Sequence, residues 1–238
     1  MPDRRSQRGP HPKDLACFAA ENVPALRDAV SDLSWLRSRG YSQKASLKLV
    51  GDRHALRDRQ RRALQRCAAS DAECEQRLRK RLEPEALTGR ELAVDGYNVL
   101  LTLEAALSGG VLLLARDGVL RDLAAMSAHY RRVHTTIPAI GLLAEFFAAQ
   151  RVLSVRWLLD RPVSNSGRLK RLIEEAIAGC EPAWTVELTH HTDRQLGDFP
   201  EVVATADSAI LDRCQEWVNL ARHVVEDKIP GAWIVDLG

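Results

Sequence analysis

The chain has no stretch approaching the roughly 18 consecutive apolar residues that a helical membrane span needs, so no membrane partner is expected. Its opening, MPDRRSQRGPHPKD, is polar with no apolar segment behind it, which argues against a secretory signal. Cysteine is sparse and unpatterned: Cys17, Cys67, Cys74, Cys180 and Cys214 are scattered, and no C-x-x-C pair occurs. An odd, dispersed set speaks against a disulfide framework or a thiolate zinc site and for reduced thiols in a cytoplasm. A P-loop is also missing. Gly109 and Gly110 lack the G-x-G-x-x-G surroundings of a dinucleotide fold.

What is present suffices for a substantial core. The 238 residues are 45% hydrophobic and 28% charged, within the ordinary range for one large or two modest soluble domains. The net charge of +2 hides an asymmetry. Residues 1–90 hold 20 Lys and Arg against 12 Asp and Glu, whereas residues 91–238 hold 14 against 20. A basic half beside an acidic half suits a nucleic-acid grip next to a cation-holding centre, although mutual attraction of the halves would give the same composition.

Residues 1–12 read as a disordered tail, rich in Arg, Pro and Ser without apolar period. From 13 to 88 the signals are helical. Leu26, Val30 and Leu33 recur at helical steps before Gly40, Ser42 can cap a helix that Gly51 ends, and another helix runs near 55–69. Ser70 and Glu73 stand at capping-box spacing for the next. LEPEALTGR, at 82–90, breaks the period and marks a boundary, so residues 89–238 form the second unit. There, ELAVD (91–95), SVRWLLD (154–160), WTVELT (184–189), EVVATAD (201–207) and AWIVDL (232–237) read as strands. Helices are expected at 97–107, 117–132, 137–150, 164–179 and 208–213, and 217–227 reads as strand then helix. Such alternation predicts an α/β three-layer sandwich with a mostly parallel central sheet, preceded by an all-helical basic module.

Four aspartates sit at or just past apolar runs: Asp95, Asp160, Asp207 and Asp212. Parallel strands would bring their carboxyl ends to one edge, where open α/β sheets place their sites. Carboxylates gathered there repel one another unless a cation stands between them, and hard oxygen ligands suit Mg²⁺ or Mn²⁺. The plainer alternative is that each caps the helix that follows it. Asp117 and Asp122 read as members of a solvated helix face, and Asp236 as a surface acid.

The phrase VDGYNVL (94–100) resembles the opening of PIN-like nuclease domains, particularly the NYN branch. WLLDRP (157–162) is similar to that group's second-strand segment, and VVATADSAILD (202–212) to its T-x-D segment. The likeness spans residues 91 to about 237. It implies that Asp95, Asp160 and Asp207 hold a divalent metal, with Asp212 reaching it through water and all four serving catalysis. Asn98, Thr205 and Ser208 match the polar residues around that site. The reaction so implied is hydrolysis of RNA phosphodiester bonds, and a PIN-type pair could form a homodimer. One departure is the missing further acid: Asp117, Asp122 and Glu145 are all open, and the neutral Asn219 follows the next strand. LVGDRHALRDRQRRAL (49–64) resembles the helical module of an uncharacterised prokaryotic family that precedes a PIN-like part.

In the basic half, Arg53, Arg57 and Arg61 are spaced by four, with Arg59, Arg62 and Arg66 alongside, and Arg77, Arg79, Lys80 and Arg81 follow. This stripe could track an RNA backbone or be a solvated face. After Asp160, Ser164 can cap a helix whose free N–H groups would hold a substrate phosphate, helped by Arg161 and Arg168. THHTD (189–193) reads as a polar loop, since neighbouring strand residues face opposite ways and His190 and His191 cannot easily share one ion. The expected function is a metal-dependent ribonuclease. The competing expectations are a non-catalytic RNA- or ribosome-binding protein on the same fold, and a phosphohydrolase of a small substrate.

Overall fold

The computed structural model describes residues 9–123, 130 and 132–238. Five helices come first: α1 (Asp14–Cys17), α2 (Val23–Ser38), α3 (Gln43–Arg53), α4 (Asp58–Cys67) and α5 (Asp71–Lys80). Ser42 caps α3 as expected, accepting from the Ala45 N–H at 3.3 Å. Gly51 does not end that helix. It lies inside it, buried against the Arg61 guanidinium, where a Cβ would have no room. The capping box at the start of α5 is complete: Ser70 accepts from the Glu73 N–H, and Glu73 accepts from the Ser70 N–H.

Beyond α5 the chain gives β1 (Arg81–Leu82), β2 (Glu91–Asp95), α6 (Gly96–Leu107), β3 (Leu112–Leu114), β4 (Leu120–Asp122) and α7 (Thr136–Ala149). It continues through β5 (Ser154–Asp160), α8 (Ser166–Ala176), β6 (Ala183–Thr189), α9 (Thr192–Gly197) and β7 (Val202–Ala204). The chain ends with α10 (Ser208–Arg213), β8 (Glu216–Val218), α11 (Leu220–Lys228) and β9 (Ile234–Asp236). Six strands form the main sheet in the order β1-β8-β7-β2-β5-β6, and every neighbouring pair is parallel. A second sheet, β4-β3-β9, is mixed.

Strand alternation sorts the main sheet's side chains into two layers. Leu92, Val94, Trp157, Leu159, Val202, Ala204 and Val218 join one core with α6, α7, α8 and α11. Ala93, Leu158, Val203 and Trp217 join the opposite core with Leu196 of α9 and Ile210 and Leu211 of α10. Helices on both faces of a parallel sheet make the α/β sandwich expected from the alternation. A third core runs from Leu26, Val30 and Leu33 of α2 to Leu113 of β3 and Val235 of β9. The first helices therefore pack on the second sheet.

Among the described residues 117–123 the helix expected at 117–132 is not formed. Residues 112–122 are a β-hairpin whose turn carries Asp117 and Gly118, the latter at φ +75°, with Ala115 N–H donating to the Val119 carbonyl at 3.0 Å. Asp-Gly between short apolar runs is a hairpin signal that outweighs the helical spacing of Val119, Leu120 and Leu123. The part of that expectation at 124–129, with Met126, and at 131 lies outside the described residues. THHTD likewise differs: the loop is short, and α9 starts at Thr192.

Candidate functional site

Because all strands of the main sheet run the same way, their carboxyl ends form one edge. Register puts Asp95 opposite Leu158 and Val94 opposite Ala204, so Thr205, the residue after β7, stands beside Asp95. By alternation Asp95, Asp160 and Thr205 share the face of Ala93, Leu158 and Val203, the face covered by α9 and α10.

Hydrogen bonds then fix the group. Thr205 Oγ1 donates to Asp95 Oδ2 at 2.8 Å and accepts from the Asp207 N–H at 3.0 Å. Asn98, on α6, does not cap its helix. Its Oδ1 accepts the Ala206 N–H at 2.8 Å and clamps the turn between β7 and α10. Asp207 is exposed and caps α10, accepting from the Ala209 and Ile210 N–H groups at 2.8 and 3.3 Å through Oδ1. The capping role expected as the plainer alternative is therefore present, and it uses one carboxylate oxygen.

Asp95 is 8% exposed, and Asp160 is half-buried at the end of β5. Burial first, then the charges of Asp207 and Asp160, push the Asp95 carboxyl up to about 7, against the hydrogen bond from Thr205 and the Asn98 backbone. Asp193, in the first turn of α9, feels the same field: burial, Asp207 and Asp160 raise it, and Arg213 opposes them. Four aspartates from four segments thus share one electrostatic neighbourhood. Among the described residues no three His, Cys, Asp or Glu side chains stand close enough together to hold a metal ion directly.

Sequence spacing does not single out Asp193, because the six-residue helix that carries it has the composition of a polar loop. The usable signal is an acid just past the third strand of a parallel sheet.

Other expected site residues lie elsewhere. Asp212 belongs to a buried ion-pair network: its Oδ1 accepts from Arg77 Nε at 2.7 Å, and Arg77 Nη1 donates to Asp117 Oδ2 at 2.7 Å. Asp117 also takes both terminal nitrogens of Arg121, whose Nε donates to the Ala206 carbonyl at 3.0 Å and whose Nη2 lies 3.3 Å from Ser208 Oγ. Asp117 is buried and not on a solvated face; burial pushes its carboxyl up, but Arg121 and Arg77 outweigh it and hold it low. The network supports the Ala206–Ser208 turn from behind. Asp122 is also buried, accepting from Thr102 Oγ1 at 3.1 Å, and Asp236 pairs with Arg27 at 2.8 Å. Glu145 is exposed on α7.

Ser164 does not cap α8. Asn165 is the N-cap, at φ 69°, while Arg161, Ser164 and Arg168 are exposed around it. The arginine stripe is broken by the fold's own needs. Arg59 pairs with the buried Asp14, and Arg61 spends its guanidinium on Asp52 at 2.8 Å and the Leu56 carbonyl at 2.9 Å. Arg53 stands 3.5 Å from Asp32, Arg66 is half-buried, and Arg77 is fully buried. Arg57 and Arg62 remain exposed.

With this geometry in view, the comparisons with known proteins place the chain. Residues 84–223, more than half of it, match the family model described as Domain of unknown function (DUF5616). The chain belongs to that family. Residues 25–80 match a second model, described as Protein of unknown function (DUF434). The chain is also similar to an uncharacterised protein of Methanocaldococcus jannaschii, 30% identical over 204 residues that cover 85% of this chain and 97% of that protein. No solved structure matches. The DUF5616 match contains Asp95, Asp160, Asp193 and Asp207 together with the Asn98 and Thr205 clamps.

Proposed function

We propose that this protein is a cytoplasmic, metal-dependent ribonuclease on a PIN-like α/β sheet. The observation that carries the reading is the meeting of Asp95, Asp160, Asp193 and Asp207 at one sheet edge, with Asp95 raised to about 7 by burial and by two of its neighbours. A protein gains nothing in stability from that arrangement unless positive charge arrives. Hard oxygen donors fit Mg²⁺ or Mn²⁺, and such ions keep several waters and need only one or two carboxylates, so a tight three-ligand cluster is not required. Asp95, Asp160 and Asp207 would hold the ion, with Asp193 near. A bound divalent ion supplies a lowered water pKa and neutralises charge on an attacked phosphate.

The chain's own residues do the positioning. Thr205 joins Asp95 to the backbone of Asp207, so the two carboxylates keep a fixed relation. Asn98 and Arg121 hold the turn between them from two sides. RNA is the favoured substrate because the basic excess lies in the helical half, where Arg57 and Arg62 stay exposed.

One observation favours a second reading, a binding protein that does not cut: Asp95 is nearly closed off from solvent and already hydrogen-bonded. The test is degradation of labelled single-stranded RNA by purified protein with Mn²⁺ or Mg²⁺. Asp95→Asn and Asp160→Asn are each expected to lower the rate at least 100-fold while leaving the thermal melt cooperative. Cleavage by wild type that both variants retain, or RNA bound and never cleaved with either ion, would overturn the catalytic reading.

A further inference from the structure

A second feature of the same edge lies beyond the acids, at the ends of β8 and β1. Arg81, Glu83, Asn219, Arg222, His223 and Glu226 line an open cleft of about 200 Å³, smaller than the site of a drug-sized ligand. Its position follows from register. Val218 pairs with both Leu82 and Ala204, so Glu83, Asn219, Thr205 and Asp95 stand in one row across four strands. At about 4.8 Å per strand, Asn219 lies roughly 10 Å from Asp95 along the edge.

The cleft holds two arginines and two glutamates, and the arginines face the hairpin turn together. A Cβ on Gly118 would lie 3.4 Å from Arg81 Nη1 and 3.9 Å from Arg222 Nη1, so two guanidinium groups close on one point of the hairpin turn. Two guanidinium groups facing one point repel each other, and an anion between them relieves that repulsion. Each arginine has one acid partner in the cleft. Glu83 takes Arg81 Nη2 at 3.1 Å and Glu226 takes Arg222 Nε at 2.8 Å, each from a largely exposed outer position where an ion pair is weak. Arg222 Nη1 spends one proton on the Gly118 carbonyl at 3.2 Å, and Asn219 Nδ2 donates to the same oxygen at 2.8 Å. An arginine offers five N–H groups, so both retain donors, and planar forks of this kind match a phosphate's oxygens.

Asn219 adds a further element. It begins the nine-residue α11 without capping it through its side chain, and the unpaired N–H groups and dipole of a helix start favour an anion. His223, one turn along, stands 3.8 Å from Glu83, and burial holds its imidazole below the ordinary value. A largely neutral ring there is a hydrogen-bonding group.

We propose that this cleft binds a phosphate group through Arg81, Arg222 and the start of α11. The phosphate either belongs to a nucleic-acid strand running along the edge toward Asp95 or is carried by a small phosphorylated molecule; the recognising chemistry is the same. The site does not depend on the hydrolytic reading, and its test is run in EDTA with the full chain, where that reading is silent.

Inorganic phosphate is titrated into the protein while the His223 ring resonances are followed by NMR. A saturable shift is expected, with affinity at least tenfold weaker in Arg222→Met and in Arg81→Met, and unchanged in Arg156→Ala, which alters an exposed pair with Glu187. Thermal melts of each variant report whether the fold is kept. Competition by 5′-phosphorylated single-stranded RNA, but not by free nucleoside monophosphate, assigns the site to a nucleic-acid strand, and the reverse assigns it to a small molecule. No movement of His223 with phosphate, or equal affinity in folded Arg222→Met and Arg81→Met, overturns the proposal.

Discussion

Asp95 is where burial and charge are most at odds. Its carboxyl is held at about 7 in the fold against 3.8 for the free group. The folded state therefore keeps the proton more tightly than the unfolded chain does. The resulting stability is fully present below about pH 4 and is lost as pH rises through about 7. A rise of that size corresponds to about 4 kcal/mol at most. Asp95→Asn keeps an oxygen for the Thr205 hydroxyl and removes the ionisation. In EDTA the variant is expected to be more stable than wild type by about 1–4 kcal/mol at pH 8, with the gap closing toward pH 4. Urea unfolding at both pH values measures it, and a gap that does not change with pH would show that Asp95 is not strained by its charge. Asp95, Asp160 and Asp207 are legible in the sequence as candidates because each ends an apolar run within a short distinctive phrase. Asp212 is not separable from them by sequence, and Asp117, read there as part of a solvated helix face, is buried in an ion-pair network. Asp117 is held by Arg121, four residues on, and by Arg77, 40 residues away, and Asp212 is 135 residues from that same Arg77. Pairing over such distances leaves no local trace.

Among the elements, the β2–α6 turn decides whether the site exists. Gly96 opens α6, and its lack of a side chain is used for closeness. A Cβ there would collide with Trp157 Nε1 and stand 2.6 Å from the Leu158 carbonyl. Trp157 is stacked on Trp184 at 5.6 Å and cannot swing away freely. Gly96→Ala is expected to destabilise by about 1–3 kcal/mol or more, since backbone must shift, and to displace Asp95 with it. Denaturant midpoints and RNA cleavage rates together check this; a variant with wild-type values of both would mean that β2 and β5 slide apart at little cost. The main strands and most helices are readable because long periodic runs with caps carry their own signal, as at Ser70. The hairpin β3–β4 is marked only by its Asp117-Gly118 turn, since three-residue strands have too few alternations to mark themselves. The short α9 escapes for a related reason: six residues with few apolar positions define no face.

At the scale of the whole molecule, the sequence boundary near residue 88 separates two patterns but not two cores. Cys17, Leu26, Val30, Leu33 and Leu64 share one hydrophobic cluster with Val111, Leu113, Ala115, Leu123, Val235 and Leu237. Arg116, beside the hairpin turn, donates its N–H to the Cys67 carbonyl at 3.1 Å and its guanidinium to the Ala69 carbonyl and Asp71. Arg77 of α5 sits buried between Asp117 and Asp212, and Trp217 Nε1 donates to its carbonyl at 2.8 Å. The helices also deliver β1 to the edge of the main sheet, beside β8. Removing residues 1–88 would bare one face of the second sheet, leave Asp117 facing Arg121 alone and strip the main sheet of an edge strand. Breaking one buried ion pair by deleting a partner costs about 3–5 kcal/mol, a large part of the stability of a domain this size. The full chain is therefore expected to melt in a single cooperative transition, and a fragment of residues 89–238 to show helical far-UV dichroism without a fixed near-UV signal or a calorimetric peak. A fragment that melts cooperatively near the full-length temperature would mean that the shared core contributes little, and that the acidic edge can be built without the helices that now support its turn from behind.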